Sequence, residues 1–294
     1  LESPMDGLHA PTPPGLGIVP RKAPPLDIAA IPRFWFDNDP FKTRFFDALS
    51  LLFPEGEKFF IACVRDYRAN ITDPALQQQV KDFIYQEGQH GALHTAFNDR
   101  LKAQGVQVDR ILARQRKIMF DGFRGKLPRR YTLGQTAAAE HLTAIMAHRF
   151  THADVFGRAD PIARALFAWH AVEEIEHKAV AFDVLRTVAK GGWLNRAASM
   201  LQVSVTFPLH VVLLMNHLLK LDGVLPDPQV WKDGRQWLLG SDGLLRPLLG
   251  EYLQYYRFGF HPNDQGDVAR IQRWREEFAA HGDARLATDR TLHA

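Results

Sequence analysis

The spacing Glu-x-x-His occurs twice in this sequence, each time in a stretch whose composition favours a helix. The first copy pairs Glu87 with His90, and the second pairs Glu174 with His177. Residues three apart on an α-helix share one face, so each pair can present a carboxylate and an imidazole to the same point. A single pair arises often by chance, whereas two copies on separate helices favour a shared metal site.

A lone glutamate precedes each pair at a similar interval, Glu57 before the first and Glu140 before the second. A carboxylate on the apolar face of a helix needs a partner, because burying it alone is costly. Ferritin-like bundles hold two iron or manganese ions with one Glu from each of two helices and a Glu-x-x-His from each of the other two. Four carboxylates balance two divalent ions, and oxygen with imidazole suits iron or manganese. The repeat therefore predicts two iron ions, with manganese as the alternative.

Each candidate also has a plainer explanation. Taken singly, Glu57 or Glu140 is best explained as half of a structural ion pair, and only the whole set favours ligation. His170 precedes Glu174 by four residues and is either an added ligand or a core histidine. His94 lies one turn beyond His90 and is a ligand, a proton donor or a residue behind the ligands; we predict a catalytic role for it. The predicted metal ligands are Glu57, Glu87, His90, Glu140, His170, Glu174 and His177.

Composition limits the class of protein. A chain of 294 residues with 46% hydrophobic content is long enough for a large core. The net charge of +3 comes from 36 basic and 33 acidic residues, which does not favour nucleic-acid binding. Cys63 is the only cysteine, so an internal disulfide and a multi-thiolate metal site are excluded. We expect a cytoplasmic protein, since no segment has the layout of a secretory signal.

No strand pattern is visible, and the helical signals predict an all-α, ferritin-like four-helix bundle with additional C-terminal helices. We expect a flexible Pro/Gly-rich arm at 1–33, the di-metal bundle at 34–190 and a helical extension packed on it at 191–294. The first helix should begin near Pro40, and Pro54 predicts a kink or a new helix start.

Further helices are expected from Pro74, over 108–123, over 131–155 and after Pro161. The most apolar stretch, 200–219, approaches the length of a membrane span. Its central Pro208 and polar interruptions favour a buried or interfacial helix instead, so membrane association is not expected. A homodimer is possible.

Several segments resemble a bacterial family catalogued as predicted metal-dependent hydrolases, and the resemblance covers nearly everything after the arm. It implies metal binding more directly than hydrolysis. The spacing of His170, Glu174 and His177 is also similar to the last ligand helix of the di-iron arylamine N-oxygenases, which implies that His170 is a seventh ligand. The segments that carry the family resemblance are 52–60, 87–98, Glu140-His141, 169–183 and 259–262.

Three functions are compatible with this pattern. We expect a dinuclear non-haem iron oxidoreductase that activates O₂ on an apolar small molecule, with an electron donor as partner. The alternatives are a metal-dependent hydrolase that uses a metal-activated water, and a non-catalytic metal or oxidative-stress protein of ferritin type.

Overall fold

The computed structural model describes residues 16–152, 155–225, 227–265 and 268–292. Within them the chain forms helices and helical turns, and the only β-type pairing is an isolated bridge between Phe36 and Ala159. The all-α prediction is confirmed. The helices are α1 (Pro40–Arg65), α2 (Pro74–Ala103), α3 (Val108–Arg116), α4 (Arg129–His152), α5 (Pro161–His177), α6 (Val180–Asp183), α7 (Trp193–Leu221), α8 (Pro228–Leu239), α9 (Leu249–Gln254), α10 (Ala269–His281) and α11 (Ala284–Thr291).

The dipeptide Asp-Pro starts three of the helices that carry the predicted ligands. Asp39, Asp73 and Asp160 each accept hydrogen bonds from backbone N–H groups of the first turn, and proline occupies the first helical position. A capping carboxylate satisfies donors that have no partner within the helix, and proline needs no donor there. The predicted starts at Pro40, Pro74 and Pro161 are confirmed.

The alternative of a new helix start at Pro54 is wrong, because α1 runs without a break from Pro40 to Arg65, whereas the alternative of a kink stays a prediction. Proline has no N–H to donate to the carbonyl four residues earlier, here that of Ser50. Asn98 supplies the missing donor, since its Nδ2 donates to Ser50 O at 2.8 Å. A neighbouring helix thus satisfies the carbonyl that proline leaves free.

The predicted helix over 108–123 is α-helical only in its first part. Its first part is α3, which ends at Arg116, and the chain continues as a π-helical segment, Lys117–Arg124. Arg114, Arg116 and Lys117 are exposed and form its solvated face. π-Helical turns often occur at functional sites, and this one borders the cavity described below.

Helices α1 and α2 pack side by side, as do α4 and α5, and the two pairs meet through α1 with α4 and α2 with α5. Helix α7 lies against α1 and α4, and α11 lies against α5. The buried apolar side chains form two clusters, one around Phe46 and Phe167 and one around Phe59 and Phe83. The predicted ligands lie between these clusters. The domain boundaries at 33 and 190, and the ferritin-like comparison, stay predictions.

Helix α7 is the one described helix that is long and apolar enough to cross a membrane, with a mean hydropathy of 1.7 in its most apolar window. Only 28% of that window is buried. Most of that window is therefore at least partly exposed, which does not fit a fully buried core helix, and the interfacial alternative stays a prediction.

Candidate metal centre

The six residues of the repeated pattern meet in the middle of the bundle. Helix α1 brings Glu57, α2 brings Glu87 and His90, α4 brings Glu140, and α5 brings Glu174 and His177. None of the six is more than 4% exposed. Residues separated by more than a hundred positions are therefore assembled into one dry cluster.

Three carboxylates surround His177. Its Nε2 lies 3.2 Å from Glu87 Oε1, 3.3 Å from Glu140 Oε2 and 3.6 Å from Glu174 Oε1. Ligands at right angles around one ion lie about 3 Å apart, because each sits about 2.1 Å from the metal. The spacing around His177 is that of atoms able to share an ion.

Glu87 and Glu174 also lie beside the other histidine of the repeat. His90 Nδ1 is 3.5 Å from Glu87 Oε1 and 3.5 Å from Glu174 Oε1. Ligand atoms from these two carboxylates, His90 and His177 all lie within 4.8 Å of one another. Glu87 and Glu174 therefore lie beside both histidines of the repeat, and all four residues could contribute to holding metal.

His170 joins the same centre. Its Nε2 lies 2.8 Å from Glu174 Oε1 and 4.0 Å from Glu57 Oε1, and a second group of potential ligands consists of Glu57, His90 and His170. The structure thus brings together all seven predicted metal ligands.

Buried polar atoms without a protein partner point to a cation. Buried side-chain atoms nearly always form a hydrogen bond, so a cluster of exceptions needs an explanation. The exceptions here are carboxylate oxygens and imidazole nitrogens. These are ligand atoms that suit hard or borderline ions such as iron and manganese. The atoms of the centre that accept no hydrogen bond are Glu57 Oε2, both oxygens of Glu87, both oxygens of Glu140, His90 Nδ1 and His177 Nε2.

The pKa shifts of the buried glutamates indicate that positive charge would stabilise this site. Burial raises the pKa of Glu57 and of Glu87 well above the usual value, and it raises the pKa of Glu140 to about 7. For Glu174, burial also raises the pKa, but His177 and His170 outweigh it and hold that pKa well below its usual value. Protons compensate the acids in the dry core, and bound metal ions would take their place.

Each histidine of the repeat is oriented by a hydrogen bond to the ring nitrogen that faces away from the cluster. His90 Nε2 pairs with Glu173 Oε2 at 3.1 Å, and His177 Nδ1 pairs with Gln86 Oε1 at 3.0 Å. Such partners fix which ring nitrogen faces the metal. Glu173 thus orients His90, whereas the acid that follows on α6, Asp183, pairs with His261 instead.

Arg21 connects the residues that orient the two histidines, since it contacts Glu173 directly and Gln86 through Glu176. Nothing in the sequence pattern indicated this role. Its guanidinium lies 3.1 Å from Glu173 and 2.5 Å from Glu176, and Gln86 Nε2 donates to Glu176 Oε2 at 2.9 Å. Arg21 is 8% exposed. The described part of the predicted arm, 16–33, is thus held against α5, while residues 1–15 lie outside the described chain. A single arginine in a Pro/Gly-rich stretch carries no periodic signal.

His94 lies behind His170 rather than in the cluster. Its Nε2 faces His170 Nδ1 at 2.6 Å and its Nδ1 faces Ser50 Oγ at 2.8 Å. Ser50 in turn donates to Asn98 Oδ1 at 2.8 Å. Both ring nitrogens of His94 are therefore engaged, which favours an orienting role over direct ligation.

An apolar cavity of about 120 Å³ opens beside the cluster. Glu57, Glu174 and Thr143 form its polar end, and Thr143 Oγ1 donates to Glu174 Oε2. Its apolar wall comes from α1, α4, α7 and the π-helical segment, through Leu52, Phe53, Phe59, Phe60, Ile118, Met119, Phe123, Ala139, Leu142, Val203 and Phe207. The site thus combines a metal-binding carboxylate cluster with room for a small apolar group.

Comparisons with known proteins agree with this chemistry at the level of the family. No curated protein and no solved structure shows a significant match to the chain. A family model described as "predicted metal-dependent hydrolase" matches residues 20–266, a range that includes all seven cluster residues and Arg21. The chain is a member of the predicted metal-dependent hydrolase family.

Proposed function

We propose that this protein is a dinuclear iron oxidoreductase that uses O₂ to oxidise an apolar small molecule, with manganese as the alternative metal. The observation that supports the proposal is the position of the cluster: carboxylates and histidines from four helices are buried in an apolar core and meet the cavity only through Glu57 and Glu174. A site of this kind keeps water away from reactive species.

The residues divide into two sets around the shared acids. Glu87 and Glu174 would bridge, Glu57 with His90 and His170 would hold one ion, and Glu140 with His177 would hold the other. When bound, the metal pair supplies the reaction with O₂ and the change of oxidation state. The protein's own part is to hold the ligands rigidly, to orient the imidazoles through Glu173, Gln86 and His94, and to exclude water.

Charge balance favours redox chemistry. Four glutamates offer four negative charges, which two divalent ions neutralise in a medium where an uncompensated charge is costly. Oxidation of both ions would add two positive charges, which anions derived from O₂ would offset. Turnover also needs an electron donor, which we include in the proposal.

Hydrolysis is the second candidate, because the family carries that description. A di-metal hydrolase activates a bound water and needs an acid for the leaving group. Among the described residues that line the cavity there is no Ser, Cys, Lys or Asp. Glu57 and Glu174 belong to the cluster itself, and the one other titratable side chain of the described lining, His210, has its Nδ1 engaged with Thr206 O at 2.7 Å. The surroundings of the site therefore favour an apolar substrate over a polar one.

The two candidates differ in their need for O₂. Protein prepared without oxygen and loaded with Fe(II) should bind close to two ions per chain and change its optical spectrum when mixed with O₂. Glu87→Ala should abolish this reaction, whereas Glu55→Gln, at a buried acid that pairs with Lys58 outside the cluster, should leave it intact. Hydrolysis of esters, amides or phosphates by the zinc form without oxygen, at the rate of the iron form, would establish the hydrolase instead.

A further inference from the structure

The outer face of α7 is unusual for a helix on a protein surface. Every exposed position of α7 between 194 and 216 carries an apolar residue. A surface helix normally places charged and polar residues on this side. We call this face the α7 stripe; its large members, each between 42% and 77% exposed, are Leu194, Leu201, Val205, Leu209, Val212 and Leu213.

Neighbouring elements extend the stripe. Helix α9 is tied to α7 by Ser204, whose Oγ donates to Tyr252 Oη at 3.0 Å, and it exposes Leu249 and Leu253 by 56% and 55%. At the start of α7, Trp193 stacks on Phe258, with ring centroids 5.0 Å apart. Contiguous apolar surface of this extent marks a site of association, and aromatic residues are enriched where proteins meet the membrane interface.

Basic residues lie along one edge of the stripe. A surface cleft is lined by Lys126, Arg129 and Arg130 together with Asn195 and Gln202 of α7. All three basic residues are exposed. Each Lys or Arg near an anionic lipid surface adds favourable binding energy, so the combination of an apolar face with a cationic edge matches an anionic bilayer.

The opposite face of the same helix reaches the metal centre's cavity. Val203, Thr206, Phe207 and His210 line that cavity, whose far end is formed by Glu57 and Glu174. Helix α7 is therefore the wall between the α7 stripe and the apolar cavity. A molecule dissolved in a bilayer under the stripe would be separated from the cluster by this wall alone.

We propose that the α7 stripe docks the protein on an anionic membrane surface, and that the substrate is a lipid-soluble molecule whose apolar chain passes beside α7 into the cavity. The helix lies along the membrane rather than across it, because its inner face packs on α1 and α4. With about 1.5 Å per residue, the stripe from Leu194 to Leu213 presents an apolar edge of about 30 Å. The proposal of membrane docking depends only on the surface of the protein, whereas the proposal about the substrate rests on the proposed function.

A second copy of the chain is the other occupant that could cover an apolar face. A membrane fits better, because the cationic edge finds opposite charge in anionic headgroups. The cavity behind the stripe is also apolar, and apolar molecules partition into bilayers. Self-association thus becomes an outcome that the test must separate from docking.

Docking can be tested by sedimentation with vesicles, independently of metal or turnover. The intact protein should sediment with phosphatidylcholine–phosphatidylserine vesicles and more weakly with phosphatidylcholine alone. Replacing two stripe residues, Val205→Glu with Leu209→Glu, should weaken binding about tenfold or more. Lys126→Gln with Arg130→Gln should weaken binding to the anionic vesicles about fivefold per charge. Tyr85→Glu, an exposed residue on α2, is the matched control and should bind normally.

The substrate part is tested with cis-parinaric acid, a fluorescent fatty acid. Ala139→Trp fills the cavity and should weaken binding of the probe at least about tenfold, whereas Ala75→Trp, at an exposed position of α2, should not. Equal binding by both variants would overturn the assignment of the cavity to an apolar chain.

Docking is overturned if the protein fails to sediment with vesicles or if the stripe variant binds as well as the Tyr85 variant. A dimer in light scattering that the stripe variant dissolves, without any vesicle binding, would assign the stripe to a second copy. These outcomes leave the reaction of the iron protein with O₂ untouched, so a failure of docking is distinguishable from a failure of the proposed function.

Discussion

His94 Nε2 lies 2.6 Å from His170 Nδ1, and this contact determines which nitrogen of His170 faces the metal centre. Asn98 Nδ2 donates to Ser50 O, so Asn98 Oδ1 accepts the proton of the Ser50 hydroxyl. Ser50 Oγ is then the acceptor for His94 Nδ1–H. His94 Nε2 is left to accept from His170 Nδ1–H, and the lone pair of His170 Nε2 points at Glu174 and Glu57.

His170 Nε2 and Glu174 Oε1 lie only 2.8 Å apart, so either a proton or a metal ion must lie between them. If His170 is a ligand, His170→Ala should leave two ions bound but change the optical spectrum of the oxidised iron centre, because one imidazole donor is lost. Metal analysis and absorption spectra of the purified variant check this. Unchanged spectra and kinetics would show that His170 is a core histidine and not a ligand.

The hydrogen-bond chain behind His170 should matter without touching the metal. Ser50→Ala removes the acceptor of His94 Nδ1–H and releases the constraint on the His170 ring, so the affinity for one ion should fall about 10- to 100-fold. Competition with a chromophoric chelator measures this. Thr95→Ala changes the exposed neighbour of His94 and is the control. Equal affinities in both variants would contradict the orienting role.

The ligand set itself predicts stoichiometry. Glu140→Ala should leave fewer than two ions per chain, since Glu140 Oε2 is 3.3 Å from His177 Nε2 and has no other partner in the protein. Iron and manganese analysis of protein prepared without oxygen gives the ratio. A single zinc ion bound undiminished in the variant would contradict a dinuclear centre.

Glu140 by itself should make the metal-free protein less stable as pH rises. Burial raises the pKa of Glu140 from 4.5 to about 7. A carboxyl group with a raised folded-state pKa stabilises the fold below its unfolded pKa, and this contribution is lost as pH rises through the folded pKa. Burial lowers the pKa of His90 and of His94, which acts in the opposite direction, so the contribution of Glu140 is measured as the difference between the protein and Glu140→Gln. With chelator present, the free energy of unfolding of the protein relative to that variant should fall by about 1–3 kcal/mol as pH rises from 4.5 to 7.

Glu140→Gln is the control for this titration, because it stays neutral and should flatten part of the profile. Metal-loaded protein should show the opposite trend, since the ions displace protons and bind more tightly at higher pH. Denaturant unfolding across the range measures both. Metal-free profiles whose difference stays constant between the two pH values would contradict the prediction.

Arg21 should stabilise both the fold and the centre. Arg21→Met leaves the buried Glu173 without its cation and removes one of two cations from Glu176, which keeps Arg275 at 3.3 Å. Breaking a buried pair from one side costs about 3–5 kcal/mol. We also expect weaker metal binding, because Glu173 would no longer be held against His90. Lys22→Met, at the exposed neighbouring position, is the control. Equal denaturation midpoints for the two variants would show that the pair is dispensable.

The sequence by itself determined the parts of the site that depend on helical periodicity. A three-residue spacing places Glu87 beside His90, and Glu174 beside His177, whatever the rest of the chain does. Asp-Pro dipeptides start helices for equally local reasons. The repeat of a lone Glu before each pair then predicted six residues that the structure brings together, and the lack of strand patterns predicted the all-α class.

Only the tertiary structure decided the contacts between elements. Arg21 meets Glu173 across 152 positions of sequence, and Ser50 meets His94 from a different helix. The alternative of a new helix start at Pro54 was wrong because the donor that replaces its N–H comes from Asn98 on α2. The exposure of α7 was equally invisible, since an apolar helix has the same sequence whether neighbours cover one face or all of them. Such features depend on packing across space, which periodicity along the chain does not encode.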